Sequence, residues 1–436
     1  MTLFSQAFWQ RLLNIRRDEL APVLLSALFF FCVLTALMVL RPAREALGMQ
    51  RGIEAVRWLF MGTALITLMV NPLFGWLVSR LRRMQFISAT YLFFAFSLLV
   101  FYLLMMLAPS RIGAVTGQVF YVWFSVFNLF SVMVFWALMA DRFSLEQSKR
   151  FFGTIAVGGT LGAIFGPWLA TRLAVPLGTS SLLLVSIAFL MLALMIAATI
   201  AHRQPPGAES SPQQRQAAEQ ALIGGSAWEG LRAVMRSRYL LGITAYVLIL
   251  AVMATFIYFT RLQMVAELES GVDDRTTLFA YIDLITQGAT LLLQLLVAGH
   301  VMRRFGVAVA LTLLPLTAML GFLGLALIGS LAALIVFEAA FRAVQRALMR
   351  PARETLFTVV SREDKYKAKA FIDTFVYRGG DVVGAQLEGA LMRLAMGLSA
   401  LASVAVPLAL VWAALGVWLG RAQQQAADSP SVVRQA

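Results

Sequence analysis

The sequence predicts an all-α integral membrane protein with about twelve transmembrane helices in two six-helix bundles, and three observations predict it. Of 436 residues, 60% are hydrophobic and 13% are charged, with a mean hydropathy of +0.80. Soluble chains run at about 45–50% apolar and about 25% charged. The apolar residues come in blocks, such as 21–40 and 182–200, each about the 20 residues that cross a hydrocarbon core of about 30 Å. One polar stretch, 202–238, splits those blocks into two sets of six.

The elements follow in order. Arg11, Arg16 and Arg17 precede the first block. That block is too long for a signal-peptide core and has no small-residue cleavage site, so it reads as a retained helix. Spans 1–6 fall near 20–40, 56–79, 85–108, 112–140, 151–172 and 179–201. Spans 7–12 fall near 239–260, 276–301, 307–328, 331–349, 367–393 and 397–420. The segment 202–238 opens with Gln204-Pro205-Pro206-Gly207 and continues through Ser, Gln and Glu, a composition that builds no core. Within it, the amphipathic residues 227–235 are expected at the membrane surface. Four regions result: a bundle at 1–201, a cytoplasmic linker at 202–238, a bundle at 239–420 and a disordered tail at 421–436. Lys and Arg crowd into the segments that are inside if the N-terminus is inside, so both termini and the linker are expected in the cytoplasm.

Composition also excludes other classes. Cys32 is the single cysteine, and His202 and His300 are the only histidines, so neither a disulfide framework nor a metal cluster is expected. No phosphate-binding GxxxxGK[ST] loop and no GxSxG elbow occurs, and paired carboxylates stand without a nucleophile–base set. The chain therefore reads as non-enzymatic and free of cofactor. Its net charge of +14 fits basic loops beside anionic lipid rather than nucleic acid.

The two halves echo each other. The basic turn Gly75–Arg83 after span 2 returns as Gly299–Gly306 after span 8, 224 residues on. Lys149-Arg-Phe-Phe with Gly158-Gly159 returns as Lys369-Ala-Phe-Ile with Gly379-Gly380, at offsets of 220 and 221. Parallel repeats of six helices are the architecture of the major facilitator fold, whose cavity lies where the halves meet.

Ionised side chains at mid-bilayer cost about 2.5–3.5 kcal/mol on insertion scales, so they usually face a cavity or a partner. Span 1 ends in Arg41-Pro42-Ala43-Arg44-Glu45, with Arg41, Arg44 and Glu45 on one helical face. Either the helix reaches water there, or two guanidiniums form a clamp for phosphate or carboxylate. Span 10 carries the stripe Glu338, Arg342 and Arg346. Span 11 carries Asp373, Arg378, Asp381 and Glu388, the last three on one face, and Asp283 with Gln287 makes a smaller stripe in span 8. These are candidate substrate-binding groups, with structural ion pairs between helices as the other reading.

Only four lysines stand among 36 basic residues. Lys149 lies between spans 4 and 5, and Lys365, Lys367 and Lys369 between spans 10 and 11. They are positive-inside charge, or they capture an anionic solute and gate it through pairs with Asp141, Glu146, Glu363 and Asp364. Gly153, Gly158, Gly162 and Gly166-Pro167 give span 5 a smooth seam for helix contact, with a gating bend expected at Pro167.

Leu40-Arg-Pro-Ala-Arg-Glu-Ala-Leu-Gly48, Trp58-Leu-Phe-Met-Gly-Thr63, Phe127-Asn-Leu-Phe and Phe135-Trp-Ala-Leu-Met-Ala-Asp141 together resemble the ATP:ADP antiporter family. So do Arg350-Pro-Ala-Arg-Glu-Thr-Leu and Arg362-Glu-Asp-Lys-Tyr-Lys-Ala-Lys369. Gly153, Gly162 and Gly166-Pro167 resemble the span 5 antiporter motif of the major facilitator superfamily, with Ala170 and Thr171 in place of its closing glycines. The loop after span 2 is similar to that superfamily's first signature, with Ser79 for its Asp and Arg82 for its second Gly. The resemblance implies nucleotide exchange. The preference for arginine over lysine points instead to a GC-rich, free-living bacterium, which makes its own ATP.

The expectation is a secondary transporter in a bacterial inner membrane. It would work by alternating access, as a monomer and an antiporter, on a small anionic, nucleotide-like solute. Arg41, Arg44, Arg342 and Arg378 would neutralise that solute, and Glu45, Glu338, Asp381 and Glu388 would pair with them in its absence. Efflux of lipophilic or cationic compounds, and a scaffold or sensor that has lost transport, are the competing readings.

Overall fold

A computed structural model of the chain describes residues 17–80, 83–107, 112–143, 145–202, 227–269, 271–296, 298–393 and 397–428. The described residues are helical, joined by short turns, and none forms a strand. A bilayer imposes this, since a helix satisfies its own backbone hydrogen bonds where no water can. The helices are α1 (Arg17–Gly48), α2 (Ile53–Arg80), α3 (Arg83–Leu107), α4 (Ile112–Arg142), α5 (Leu145–Leu177) and α6 (Ser181–His202). A linker helix α7 (Ala227–Arg236) leads to α8 (Arg238–Leu268), α9 (Val272–Leu296) and α10 (Ala298–Ile328). Ten of the described helices are long and apolar enough to cross a membrane.

The tenth and eleventh predicted spans are built differently. Helix α11 (Leu331–Val344) runs through a π turn, Gln345–Met349, into α12 (Arg350–Leu356). Helix α13 (Arg362–Phe371) runs through a second π turn, Ile372–Val376, into α14 (Tyr377–Arg393). The chain closes with α15 (Gly397–Asp428).

Several predicted ends move. Span 1 was expected to stop at 40, yet α1 continues through Pro42 to Gly48, because Ala43, Ala46 and Leu47 are buried and hold the last turns in the core. Span 7 was expected to stop at 260, yet α8 continues to Leu268 and takes Arg261 fully inside. Span 12 overruns 420, and residues 421–428 of the predicted disordered tail are helical. Arg, Ala and Gln are good helix formers, and they carry the helix to Asp428. Within α10, Gly306 sits at φ 75°, ψ −178° and breaks the helix where span 9 was predicted to begin. The predicted amphipathic segment forms α7, which packs on α13. Residues 203–226 of the linker and 429–436 of the tail lie outside the described residues.

Packing sorts the chain into two compact units. The first comprises 1–52, 65–221 and 269–284, and the second comprises 53–64, 222–268 and 285–436. The opening turns of α2 thus pack with the second unit and those of α9 with the first. The first unit's core is aromatic. Phe30 stacks on Phe135 at 4.1 Å between centroids, Phe29 meets Tyr91 edge-on at 6.0 Å, and the Tyr91 hydroxyl donates to the Ser131 carbonyl at 3.3 Å. In the second unit, Tyr246 packs on fully buried Trp412 at 5.3 Å and donates to the Leu311 carbonyl at 2.7 Å.

Helices α1 and α5 form the closest seam of the first unit. A Cβ on Gly158 would stand 2.1 Å from the Ala27 carbonyl oxygen, one on Gly162 2.4 Å from that of Phe31, and one on Gly166 2.7 Å from the Val39 nitrogen. Gly162 and Gly166, expected as gating positions, are thus packed against backbone. Helix α5 carries Pro167 within its continuous run. Gly162→Leu should lower the thermal midpoint of the detergent-purified protein by the equivalent of about 1–3 kcal/mol or more, as over-packing against a rigid partner does. Gly153→Ala should not, since a Cβ there meets nothing within 4 Å. Equal midpoints for the two variants would contradict the seam.

Candidate functional site

The first unit brings together the end of α1, the start of α9 and one turn of α4. The i, i+3, i+4 spacing places Arg41, Arg44 and Glu45 on one face of α1. Arg41 Nε stands 3.5 Å from Asp283 Oδ2, and Asp283 is 3% exposed. Arg44 Nη1 donates to Glu45 Oε1 at 2.9 Å, and its Nε donates to the Tyr121 carbonyl at 3.2 Å. The Arg44 guanidinium lies 3.7 Å above the Tyr121 ring, where the π cloud attracts it. Glu45 is 1% exposed and both arginines are largely covered, so these side chains pack within the unit.

The second unit holds a larger network. Glu338 of α11, almost wholly buried, accepts from Arg261 Nη1 at 3.3 Å and from Arg342 Nε at 3.0 Å, both on Oε1. One turn on, Arg346 donates to Gln287, so the predicted α9 stripe divides: Asp283 meets Arg41, and Gln287 meets Arg346. On α14, Arg378 Nη1 donates to Asp381 Oδ2 at 3.2 Å, and the Thr255 hydroxyl donates to Asp381 Oδ1 at 3.4 Å. Glu388 shares their face but not their partners. It accepts from Arg57 Nη2 at 2.7 Å and Nε at 3.2 Å, and from Gln263. Arg57 also bonds Glu54, which in turn takes Arg393 at 2.9 Å.

Of the expected gating groups, Lys369 bonds Glu354 and stands 5.9 Å from the Phe357 ring centroid. Among the described residues its partner is therefore none of the expected carboxylates. Asp364 instead accepts from the Ser361 hydroxyl at 2.8 Å, while that oxygen caps the start of α13 by accepting from the Asp364 amide at 3.2 Å. Burial raises the Glu354 carboxyl, but hydrogen bonds and charge from Lys369 and Arg353 outweigh it and hold it below the usual carboxylate range. Asp141 is exposed at the end of α4, and Lys367 is half-buried on α13. The side chains of Lys149, Glu146, Glu363 and Lys365 lie outside the described residues.

Arg57, Arg261 and Gln263 were missed because a charged or polar residue near a block's edge reads as the block's end. Arg261 was legible only through Leu262, Met264 and Val265 beyond it, which carry the helix on. No group of three His, Cys, Asp or Glu among the described residues is arranged to hold a metal ion.

A helical membrane bundle with paired charges in its interior is the build of a solute carrier. Residues 23–352 match the family model described as Major Facilitator Superfamily, and the chain belongs to that superfamily. It is a multi-pass membrane transporter, not an enzyme. Among solved structures, a POT family transporter in complex with 5-aminolevulinic acid is similar at a TM-score of 0.62 and 11% identity, over 92% of this chain and 96% of that one. A bacterial homolog of the human lysosomal transporter Spinster is similar at 0.55 and 16%, over 93% and 97%. The nucleoside transporter NupG is similar at 0.56 and 12%, over 93% and 99%. At these identities the likeness is one of fold. No curated protein matches the chain in sequence.

Breaking a buried ion pair by removing one partner typically costs about 3–5 kcal/mol, whereas removing both leaves no uncompensated charge. Arg57→Ala and Glu388→Ala should each lower the thermal midpoint sharply, and the double variant by clearly less than their sum. Additive losses would mean the two groups act independently.

Proposed function

We propose that this transporter is a secondary active carrier working by alternating access, an antiporter for a small anionic, nucleotide-like solute. What carries the reading is that mostly covered guanidinium groups within an apolar bundle are held by buried carboxylates, Arg41 by Asp283, Arg44 by Glu45 and Arg342 by Glu338, with the more exposed Arg378 held by Asp381. Each carboxylate occupies the position that an anionic solute's phosphate or carboxylate would take. Without solute these carboxylates compensate the arginines, and an arriving anion would displace them; the antiporter reading rests on the resemblance in the sequence.

The resemblance of Leu40–Gly48, Phe135–Asp141 and Arg362–Lys369 to the ATP:ADP antiporter family supports a nucleotide-like solute. The halves 1–201 and 239–420 are the bodies that alternate, with the linker and both termini inside a bacterial inner membrane and the chain acting as a monomer. Lys149, Lys365, Lys367 and Lys369 attract the anion at the cytoplasmic side, and Asp141 belongs with them to the gate. Gly162, Gly166 and Pro167 belong to the gate, with a bend of α5 at Pro167.

Proteoliposomes loaded with unlabelled nucleotide should take up labelled ADP or orthophosphate in exchange. A charge-assisted hydrogen bond is worth about 1.5–3 kcal/mol, so Arg342→Ala should lower the exchange rate by roughly tenfold or more. If no labelled nucleotide, phosphate or organic anion exchanges, the anion reading is lost. Uptake of lipophilic cations instead would establish the efflux reading.

A further inference from the structure

The pentapeptide Arg-Pro-Ala-Arg-Glu occurs twice, at 41–45 and at 350–354. The two copies are built alike at their second arginine. Arg44 pairs with Glu45 at 2.9 Å, and Arg353 Nη2 pairs with Glu354 at 3.4 Å. They differ at the first. Arg41 meets Asp283, while Arg350 has no acidic partner among the described residues.

The second copy opens onto a cavity of about 390 Å³ within the second unit. That volume lies in the range of sites for small organic ligands. Both π turns found among the described residues border it. Gln345 and Met349 come from the first, Asp373 comes from the second, and Tyr377 stands just beyond it. A π turn costs helix stability and recurs where a helix is widened for function. Two on neighbouring elements, facing one cavity, are poorly explained by packing alone.

Charge specifies what the cavity suits. Arg350 and Arg353 line it together with Glu354 and Asp373, and Lys369 is bonded to Glu354 from behind. The lining thus holds two arginines and two carboxylates, and Lys369, outside the lining, offsets one of those carboxylates. Arg353 spends Nη1 on Asp373 at 3.0 Å and Nη2 on Glu354, which leaves its buried Nε without an acceptor. A buried donor on a guanidinium is normally satisfied. A carboxylate or phosphate group would satisfy it, and would pair with the fork of Arg350 in the bidentate geometry that arginine favours.

We propose that this cavity is a second oxyanion site, lined by none of Arg41, Glu338 and Arg342, which binds the carboxylate or phosphate of a small organic molecule or of a lipid headgroup through Arg350 and Arg353. The site stands whether or not the transported solute is an anion, because its occupancy is read without transport.

The test uses the full chain. In detergent, inorganic phosphate and succinate are titrated against chloride at equal ionic strength, with the thermal midpoint as readout. A saturable rise is expected in the wild type and in Arg41→Ala. In Arg350→Gln its apparent affinity should fall by roughly tenfold or more, while the midpoint in chloride stays unchanged, since Arg350 supports no ion pair. Arg350→Lys should recover part of the affinity. In a second arm the protein is placed in phosphatidylcholine nanodiscs with or without phosphatidylglycerol. If only phosphatidylglycerol raises the midpoint, and Arg350→Gln removes the rise, the occupant is a headgroup and the site holds. If neither source gives a saturable rise, or if Arg350→Gln responds as the wild type does, the proposal is overturned and the cluster is a structural ion-pair network.

Discussion

A charge taken out of water inside an apolar bundle must find an opposite charge, and the interior of this protein is organised around that requirement. Asp283, Glu45, Glu338, Asp381 and Glu388 are all nearly buried, and each is met by arginine. Burying a lone carboxylate costs several kcal/mol even after relaxation, so the pairing is a condition of folding. On the proposed function, an arginine matched to one anion would exchange it for another. Such buried pairs are weak devices for stability and strong ones for specifying which helices meet.

The requirement reaches into backbone geometry. Helix α8 runs eight residues past its predicted end, to Leu268, and Arg261, which lies in that extension, meets Glu338. Helix α1 continues past Pro42, where Ala43, Ala46 and Leu47 are buried and Arg44 pairs with Glu45. The π turns at Gln345–Met349 and Ile372–Val376 flank Arg350 and Arg353, and the second contains Asp373. Where the chain carries no interior charge, as along α3 and α6, the helices are plain leucine-, alanine- and phenylalanine-rich rods.

That contrast explains what was legible in the sequence. The helices themselves were readable because a bilayer sets a length that a run such as 182–200 either meets or does not. The charged stripe of α11 was readable for the same periodic reason, and its partner Arg342–Glu338 follows from i, i+4 spacing alone. The partners across helices were not readable. Glu388 shares a helical face with Arg378 and Asp381, yet it is claimed by Arg57, 331 residues away, and no local pattern announces that. Likewise Lys369 sits among acidic neighbours in sequence and bonds Glu354 instead. Polar residues near the end of an apolar run read as exits to water, and in Arg57 and Arg261 they are interior groups.

If the acidic partners hold the place of a solute's anion, removing one should help the solute bind. Binding of labelled nucleotide to the purified protein, compared across wild type, Asp283→Asn and Arg41→Ala, tests this most directly. The account predicts opposite signs: tighter binding when the competing carboxylate of Asp283 is neutralised, and weaker binding when Arg41 is lost. Equal weakening in both variants would mean that the pair serves only to join helices, and the anion-exchange account would fall.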